Sequence, residues 1–156
     1  MACIKKFLNS MKKKNTNRVI YKFKNNKIIN KPSIPLDILN LKDYNSHKLI
    51  VLGTDKKYNS IFGAFIHNVN RGPAQGGLRY WKYNSIVDFI SDGLRLSEGM
   101  SRKSALSGLW YGGGKGIIGY NDLEYPNNTI ARRDLFQEYG KFISSLNGIY
   151  YTAEDV

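Results

Sequence analysis

Apolar positions along the chain fall into two spacings, and the change from one to the other marks out the elements. Between residues 4 and 11, Ile4, Phe7, Leu8 and Met11 alternate with lysines as a weak amphipathic pattern. Val19, Tyr21 and Phe23 follow at every second position, which predicts a marginal edge hairpin turning at Asn25-Asn26. Pro32 and Pro35 then interrupt regular structure, and a short helix is expected over 36–41. Residues 48–52 and 60–67 read as two strands joined by the polar segment 53–59, a hairpin. Arg71-Gly72-Pro73 breaks the chain, and Gly76-Gly77 predicts a glycine-rich turn. Asn84 or Ser85 can cap a helix, with Asp88 as box partner. Ile86, Phe89, Ile90, Gly93 and Leu94 keep one of its faces apolar to about residue 97. A second helix is expected over 102–108, a short strand over 116–120 and a polar loop over 121–128. The clearest helix covers 129–146, where Leu135, Tyr139, Phe142, Ile143 and Leu146 share a face and Asn147-Gly148 ends it. Tyr150 and Tyr151 open an extended segment. The class is therefore α/β, a small mixed β-sheet flanked by helices.

Charge changes this picture at one end. The formal net charge is +12, yet residues 1–36 carry ten Lys/Arg and no acid, while the remaining 120 carry fourteen Lys/Arg against twelve Asp/Glu, a net +2. The basicity belongs to an arm, so residues 1–32 are expected to be a mobile extension and 33–156 the folded domain. A domain near neutrality has no electrostatic reason to seek a phosphate backbone, so no nucleic-acid partner is expected. No apolar run approaches a membrane span, and no membrane partner is expected. Cys3 is the single cysteine, which excludes an intrachain disulfide and fits a reducing, cytoplasmic setting. The acid-poor start also resembles an organellar transit peptide, with a matrix location as the alternative.

Chemistry concentrates between residues 71 and 121. Four glycines surround Lys115 in Gly112-Gly113-Gly114-Lys115-Gly116, with Trp110, Ile117 and Ile118 beside them. Side-chain-free neighbours let a ligand approach, and dry surroundings predict an ammonium that gives up its proton easily. Lys103 lies twelve residues upstream. The run fails as a P-loop: Leu109 stands at the first glycine position and Gly116 where a hydroxyl is needed. A dinucleotide fingerprint needs G-x-G-x-x-G between a strand and a helix, and neither Gly76-Gly77 nor Gly112-Gly113-Gly114 is read as one. His47 and His67 have no ligand-spaced partners and read as surface or strand histidines, so no metal is expected. Lys103, Lys115 and Asp155 together suggest a pocket of two ammonium groups and a carboxylate. One cation would hold a substrate carboxylate while the other activates water or polarises an imine, which suits amino-acid/2-oxo-acid chemistry.

Four blocks carry a resemblance: residues 72–79 (GPAQGGLR), 94–103 (LRLSEGMSRK), 108–115 (GLWYGGGK) and 152–156 (TAEDV). From about Asp37 onward the chain resembles the N-terminal substrate-binding and dimerisation domain of the Glu/Leu/Phe/Val dehydrogenase family. The resemblance implies reversible oxidative deamination of an L-amino acid to a 2-oxo acid and ammonia, with NAD or NADP as hydride acceptor. By the same likeness Lys103 matches the lysine that binds the α-carboxylate and Lys115 the catalytic lysine. Asp155 matches the carboxylate that handles protons on the amino nitrogen. Gly76, Gly77 and Met100 match pocket-lining positions, and Ala153 a side-chain contact. The glutamate branch places a lysine where Gln75 stands, and Gln75 fits neither branch cleanly, while the block 72–77 and the ending 152–156 look more like the leucine/phenylalanine/valine branch. Family members continue into a nucleotide-binding domain. The expectation is a truncated or split enzyme without the Rossmann domain, with no cofactor-binding residue of its own and no turnover alone. Its partners would be an amino acid or 2-oxo acid and either a second copy or a complementing nucleotide-binding chain. The alternative is a non-catalytic dimerisation or regulatory module.

Overall fold

A computed structural model describes residues 4–55, 57–120 and 129–153. Its elements in chain order are α1 (Ile4–Lys13), β1 (Arg18–Lys24), β2 (Lys27–Ile28), β3 (Leu49–Thr54), β4 (Ile61–Asn68) and β5 (Ala74–Lys82). They continue with α2 (Ile86–Leu106), β6 (Gly112–Tyr120), α3 (Thr129–Ser144) and β7 (Tyr150–Ala153). The strands form one mixed sheet in the order β2-β1-β3-β4-β6-β5-β7. Pairing is antiparallel from β2 to β6, and β5 runs parallel to both β6 and β7. The expected α/β class holds.

The sheet is covered on both faces, and the strands show it by burying consecutive residues instead of alternate ones. Ile50, Leu52, Ile61, Phe65 and Ile117 pack with Phe89, Ile90 and Leu94 of α2 and with α1. Val51, Phe62, Ala64, Ile66, Leu78 and Ile118 face the other way, toward Leu135, Tyr139, Phe142 and Ile143 of α3. Neighbouring residues on one strand thus serve two cores.

Five expectations change. Residues 4–28, expected within a mobile extension, form α1, β1 and β2. Ile4, Phe7, Leu8 and Met11 are buried against the sheet, and β1 pairs with β3 over five residues. The apolar stripe of α1, weak by sequence, has a complete partner in Val19, Tyr21 and Phe23 of β1. Its lysines point outward. No helix forms over 36–41; Ile38 is instead buried as an anchor of an irregular connection. The two short helices expected at 86–97 and 102–108 are a single helix, α2, of 21 residues, capped by Ser85, whose hydroxyl accepts from the Asp88 N–H at 3.1 Å. Gly99 in its middle is exposed and meets nothing, so it does not break the helix. Gly76-Gly77 is no turn but the interior of β5, and the glycines 112–116, expected as a loop ahead of a short strand, are the first half of β6.

Glycine is a poor strand former by itself, and here its missing side chains are filled by neighbours. A Cβ on Gly113 would stand 2.1 Å from Ser101 Oγ, and one on Gly114 2.6 Å from the Tyr150 ring. Helix α2 and the Tyr150 ring lie closer to the central strand than any side chain permits. The hairpin of β3 and β4 forms as expected, and Asn25 and Asn26 take the positive φ of 50° and 55° that the β1–β2 turn requires. Among the described residues no helix is long and apolar enough to cross a membrane.

Candidate functional site

Lys115 is a buried lysine of the sheet. It occupies the middle of β6, between β4 and β5, and is 6% exposed. Its cross-strand partner is Phe65, and Ile117 two residues on packs beneath α2. Burial of a lysine at this depth is costly unless its partners are supplied, and it is uncommon in a core.

Of the residues expected in the pocket, Gly76 and Met100 meet beside Gly114, the neighbour of Lys115. Gly76 of β5 lies against the β6 backbone so closely that a Cβ there would be 1.7 Å from the Gly114 carbonyl oxygen and 3.0 Å from Met100 Cγ of α2. Gly76, Gly114 and Met100 therefore meet at one point, next to Lys115. Gln75 pairs with Gly113 on one side and Tyr151 on the other, and Gly77 pairs with Ala153 of β7. The Tyr150 hydroxyl fixes this strand from beneath, donating to the Gly76 carbonyl at 2.8 Å; burial pushes its phenol up to about 12, so it keeps its proton. Lys103 lies in the last turn of α2, three residues beyond Met100, and is exposed. The two lysines thus differ: one buried in the sheet, one in water at the helix end. Asp155 lies outside the described residues.

A cleft of about 610 Å³, open and polar, lies between Asp55, Lys57 and Tyr58 and the α3 residues Asp134 and Glu138. Neither Lys103 nor Lys115 lines it. Around Lys115 the chain is a buried strand of glycines. Neither glycine run offers a dinucleotide cradle. Both are interior strands whose backbone groups are engaged in sheet pairing, and α2 begins at Ser85 with no glycine turn before it.

A second cluster escaped the sequence reading. His47, expected at the surface or in a strand, is 1% exposed, and its ring lies 4.8 Å from that of His67 on β4. The backbone of Asn45 bridges them: its N–H donates to His47 Nδ1 at 3.2 Å, and its carbonyl accepts from His67 Nε2 at 3.0 Å. These partners fix both tautomers. His47 Nε2 must carry the hydrogen and donate to the Leu94 carbonyl (3.0 Å), and His67 Nδ1 must accept from the Ser101 hydroxyl (2.7 Å). Burial first, and for His47 also the neighbouring imidazole, holds both rings below the ordinary histidine range, His47 at about 4. The available signal was on α2, where Ser97 and Ser101 sit at i,i+4 on its inward side, polar residues continuing a buried stripe. Among the described residues no group of three or more His, Cys, Asp or Glu could hold a metal ion.

Comparison with known proteins agrees with the motifs. The model of the family described as Glu/Leu/Phe/Val dehydrogenase, dimerisation domain, matches residues 51–156. Leucine dehydrogenase of Geobacillus stearothermophilus is 45% identical over 91 residues, which cover 58% of this chain and 23% of that protein. Valine dehydrogenase of Streptomyces coelicolor is 38% identical over 125 residues, covering 78% of this chain and 33% of that protein. The crystal structure of L-tryptophan dehydrogenase from Nostoc punctiforme is similar with a TM-score of 0.62 at 35% identity, over 71% of this chain and 31% of that one. The chain spans about a quarter to a third of the length of these relatives.

Proposed function

The chain belongs to the Glu/Leu/Phe/Val dehydrogenase family, and we propose that it provides the amino-acid and 2-oxo-acid-binding wall, with the working lysine, of a dehydrogenase acting on an apolar L-amino acid. The observation that carries this reading is Lys115, buried in a strand of glycines and bordered by the Gly76–Met100 contact. Met100 supplies an adaptable apolar surface at its edge.

In this reading Lys103 binds the substrate α-carboxylate. An exposed ammonium on a helix end can turn to meet an anion while keeping its remaining hydrogens in water. Lys115 then places its proton at the carbonyl oxygen, or withdraws one from the attacking water, where desolvation makes each electrostatic contact stronger than in bulk solvent. Asp155 exchanges the proton of the amino nitrogen. Gln75 offers no charge for a distal carboxylate, which favours leucine-, valine- or phenylalanine-like side chains over glutamate. NAD or NADP is the hydride acceptor expected of the whole enzyme. The roles above concern the amino acid alone.

A panel of 2-oxo acids titrated into the purified chain tests this, read by the Met100 methyl resonance. Branched-chain 2-oxo acids are expected to shift it saturably and 2-oxoglutarate much less, and Lys103→Ala is expected to abolish the response. Equal response to all acids, unaffected by Lys103→Ala, overturns the reading. A second reading, an association module, is favoured by the exposed Trp110 (76%) and Leu109 at the end of α2. Lys115→Ala separates the two: loss of deamination activity in the assembled enzyme with assembly intact supports catalysis, whereas unchanged activity supports association.

A further inference from the structure

We infer that His67 is a positioning residue for this amino-acid site, acting through the Ser101 hydroxyl to hold the substrate-facing turn of α2 against the lysine-bearing strand. The inference rests on the site reading above and extends it to a group that the motifs leave out.

The argument runs along a line of contacts. His67 is half-buried at the end of β4, with its Nε2–H committed to the Asn45 carbonyl at 3.0 Å. Its lone pair at Nδ1 faces α2 and accepts from Ser101 Oγ at 2.7 Å, with the Asn68 amide a longer donor at 3.2 Å. The Asn68 amide donates to the same Oγ at 3.0 Å, so the hydroxyl is held from two sides. Ser101 is the residue next to Met100 and two before Lys103. Its Oγ and backbone nitrogen stand where a Cβ on Gly113 would be, 2.1 and 2.3 Å away, and Gly113 is two residues before Lys115. The imidazole, the hydroxyl and the bare strand form one stack, with a substrate-binding residue on the helix side and the working lysine on the strand side. Loop residues add a second tie, since Asn45 Nδ2 donates to Glu98 Oε1 at 2.9 Å and His47 Nε2 donates to the Leu94 carbonyl. Helix α2 is therefore fixed at Leu94, Glu98 and Ser101, along the stretch that leads to Met100 and Lys103.

A ring that only filled space would be replaceable by any side chain of similar volume. A ring that positions Ser101 needs an acceptor at the Nδ1 place. Asparagine puts its Oδ1 there and leucine does not, so His67→Asn and His67→Leu separate the two roles. The experiment measures binding of 2-oxoisocaproate to the full chain by calorimetry, alongside thermal unfolding, for wild type, His67→Asn, His67→Leu, Ser101→Ala and His67→Leu/Ser101→Ala. The expected result is about tenfold weaker binding in His67→Leu and in Ser101→Ala, no further loss in the double variant, and recovery to within about threefold in His67→Asn, the non-additivity being the mark of a shared contact. Wild-type binding with Ser101→Ala unchanged, or with losses that add in the double variant, overturns the positioning role and leaves the site standing. A wild-type chain that binds no 2-oxo acid overturns the site assignment and this inference with it.

Discussion

Lowering the pH from 7 to 5 is expected to destabilise this chain through His47. The ring is buried with both nitrogens in fixed roles, Nδ1 accepting from the Asn45 N–H and Nε2 donating to Leu94. A second proton on Nδ1 would point at the Asn45 N–H and place a charge beside His67. Burial and this neighbour hold His47 at about 4 in the folded state, against 6.5 when it is solvated. The sign follows from linkage: the unfolded chain binds the proton first, so stability is complete above about 6.5 and falls as pH drops toward the folded value. The full separation is worth about 3 kcal/mol at 1.36 kcal/mol per pKa unit, of which about 2 kcal/mol is lost between pH 7 and pH 5. His67, also lowered, adds to the loss in the same direction, opposed in part by the charge of Glu98 and assisted by that of Arg102. Glu98, the acid next to the cluster, titrates below its ordinary value because Asn45 and Arg102 hydrogen-bond to it, so it contributes only at lower pH. Urea unfolding followed by far-ultraviolet circular dichroism gives the curve; Trp81 and Trp110 are too exposed to report on the core. His47→Gln keeps a donor toward Leu94 and cannot titrate, so its loss over the same interval should fall to the part due to His67. Wild-type stability that stays flat from pH 7 to 5, or a slope unchanged in His47→Gln, refutes the buried neutral pair.

Three further outcomes follow from packing. Gly113→Ala forces a methyl into Ser101 and the α2 backbone and should cost about 3 kcal/mol or more, whereas Gly99→Ala, in open space on the same helix, should stabilise by about 0.5–1 kcal/mol; denaturant midpoints compare them. Tyr150→Phe removes the donor to Gly76 and should cost about 1–2 kcal/mol, and weaker 2-oxo-acid binding in the same variant would show that the β5 strand has moved. Deleting residues 1–14 strips four buried side chains from the first core, each worth about 1.5–3 kcal/mol, and should abolish cooperative thermal unfolding; a deletion variant that melts like the parent would restore the view of that segment as a dispensable arm.

Much of the fold was legible where one spacing ruled a segment. The β3–β4 hairpin and α3 show their periods plainly, and the structure follows them. Elements were misread where a residue's ordinary preference was outvoted by a distant neighbour. The glycines at 76–77 and 112–116 signal turns by themselves; they are strands because Tyr150, Ser101 and Met100 occupy the space their side chains leave. Helix α2 looked divided because Gly99 weakens the pattern, yet the inward Ser97 and Ser101 carry it through by hydrogen bonding to the histidines instead of by apolar packing. The lysine-rich start looked like a solvated arm because its charge hides a four-residue stripe whose partner, β1, is equally faint. At the site, Lys115, Gly76 and Met100 were legible as motif residues and lie together. The histidine pair was not, since His47 and His67 are twenty residues apart and are joined only by how the chain returns past Asn45.

The account's central claim is that the buried Lys115 ammonium and the Met100–Lys103 turn of α2 belong to one ligand site. Nuclear magnetic resonance of the lysine side chains, recorded while 2-oxoisocaproate is titrated into the full chain, tests it most directly. The predicted result is that Lys115 and the Met100 methyl shift together along a single saturation curve, and that both shifts disappear in Lys103→Ala. If Lys115 stays unmoved while Met100 and Lys103 respond, the lysine belongs to the core and the claim is wrong.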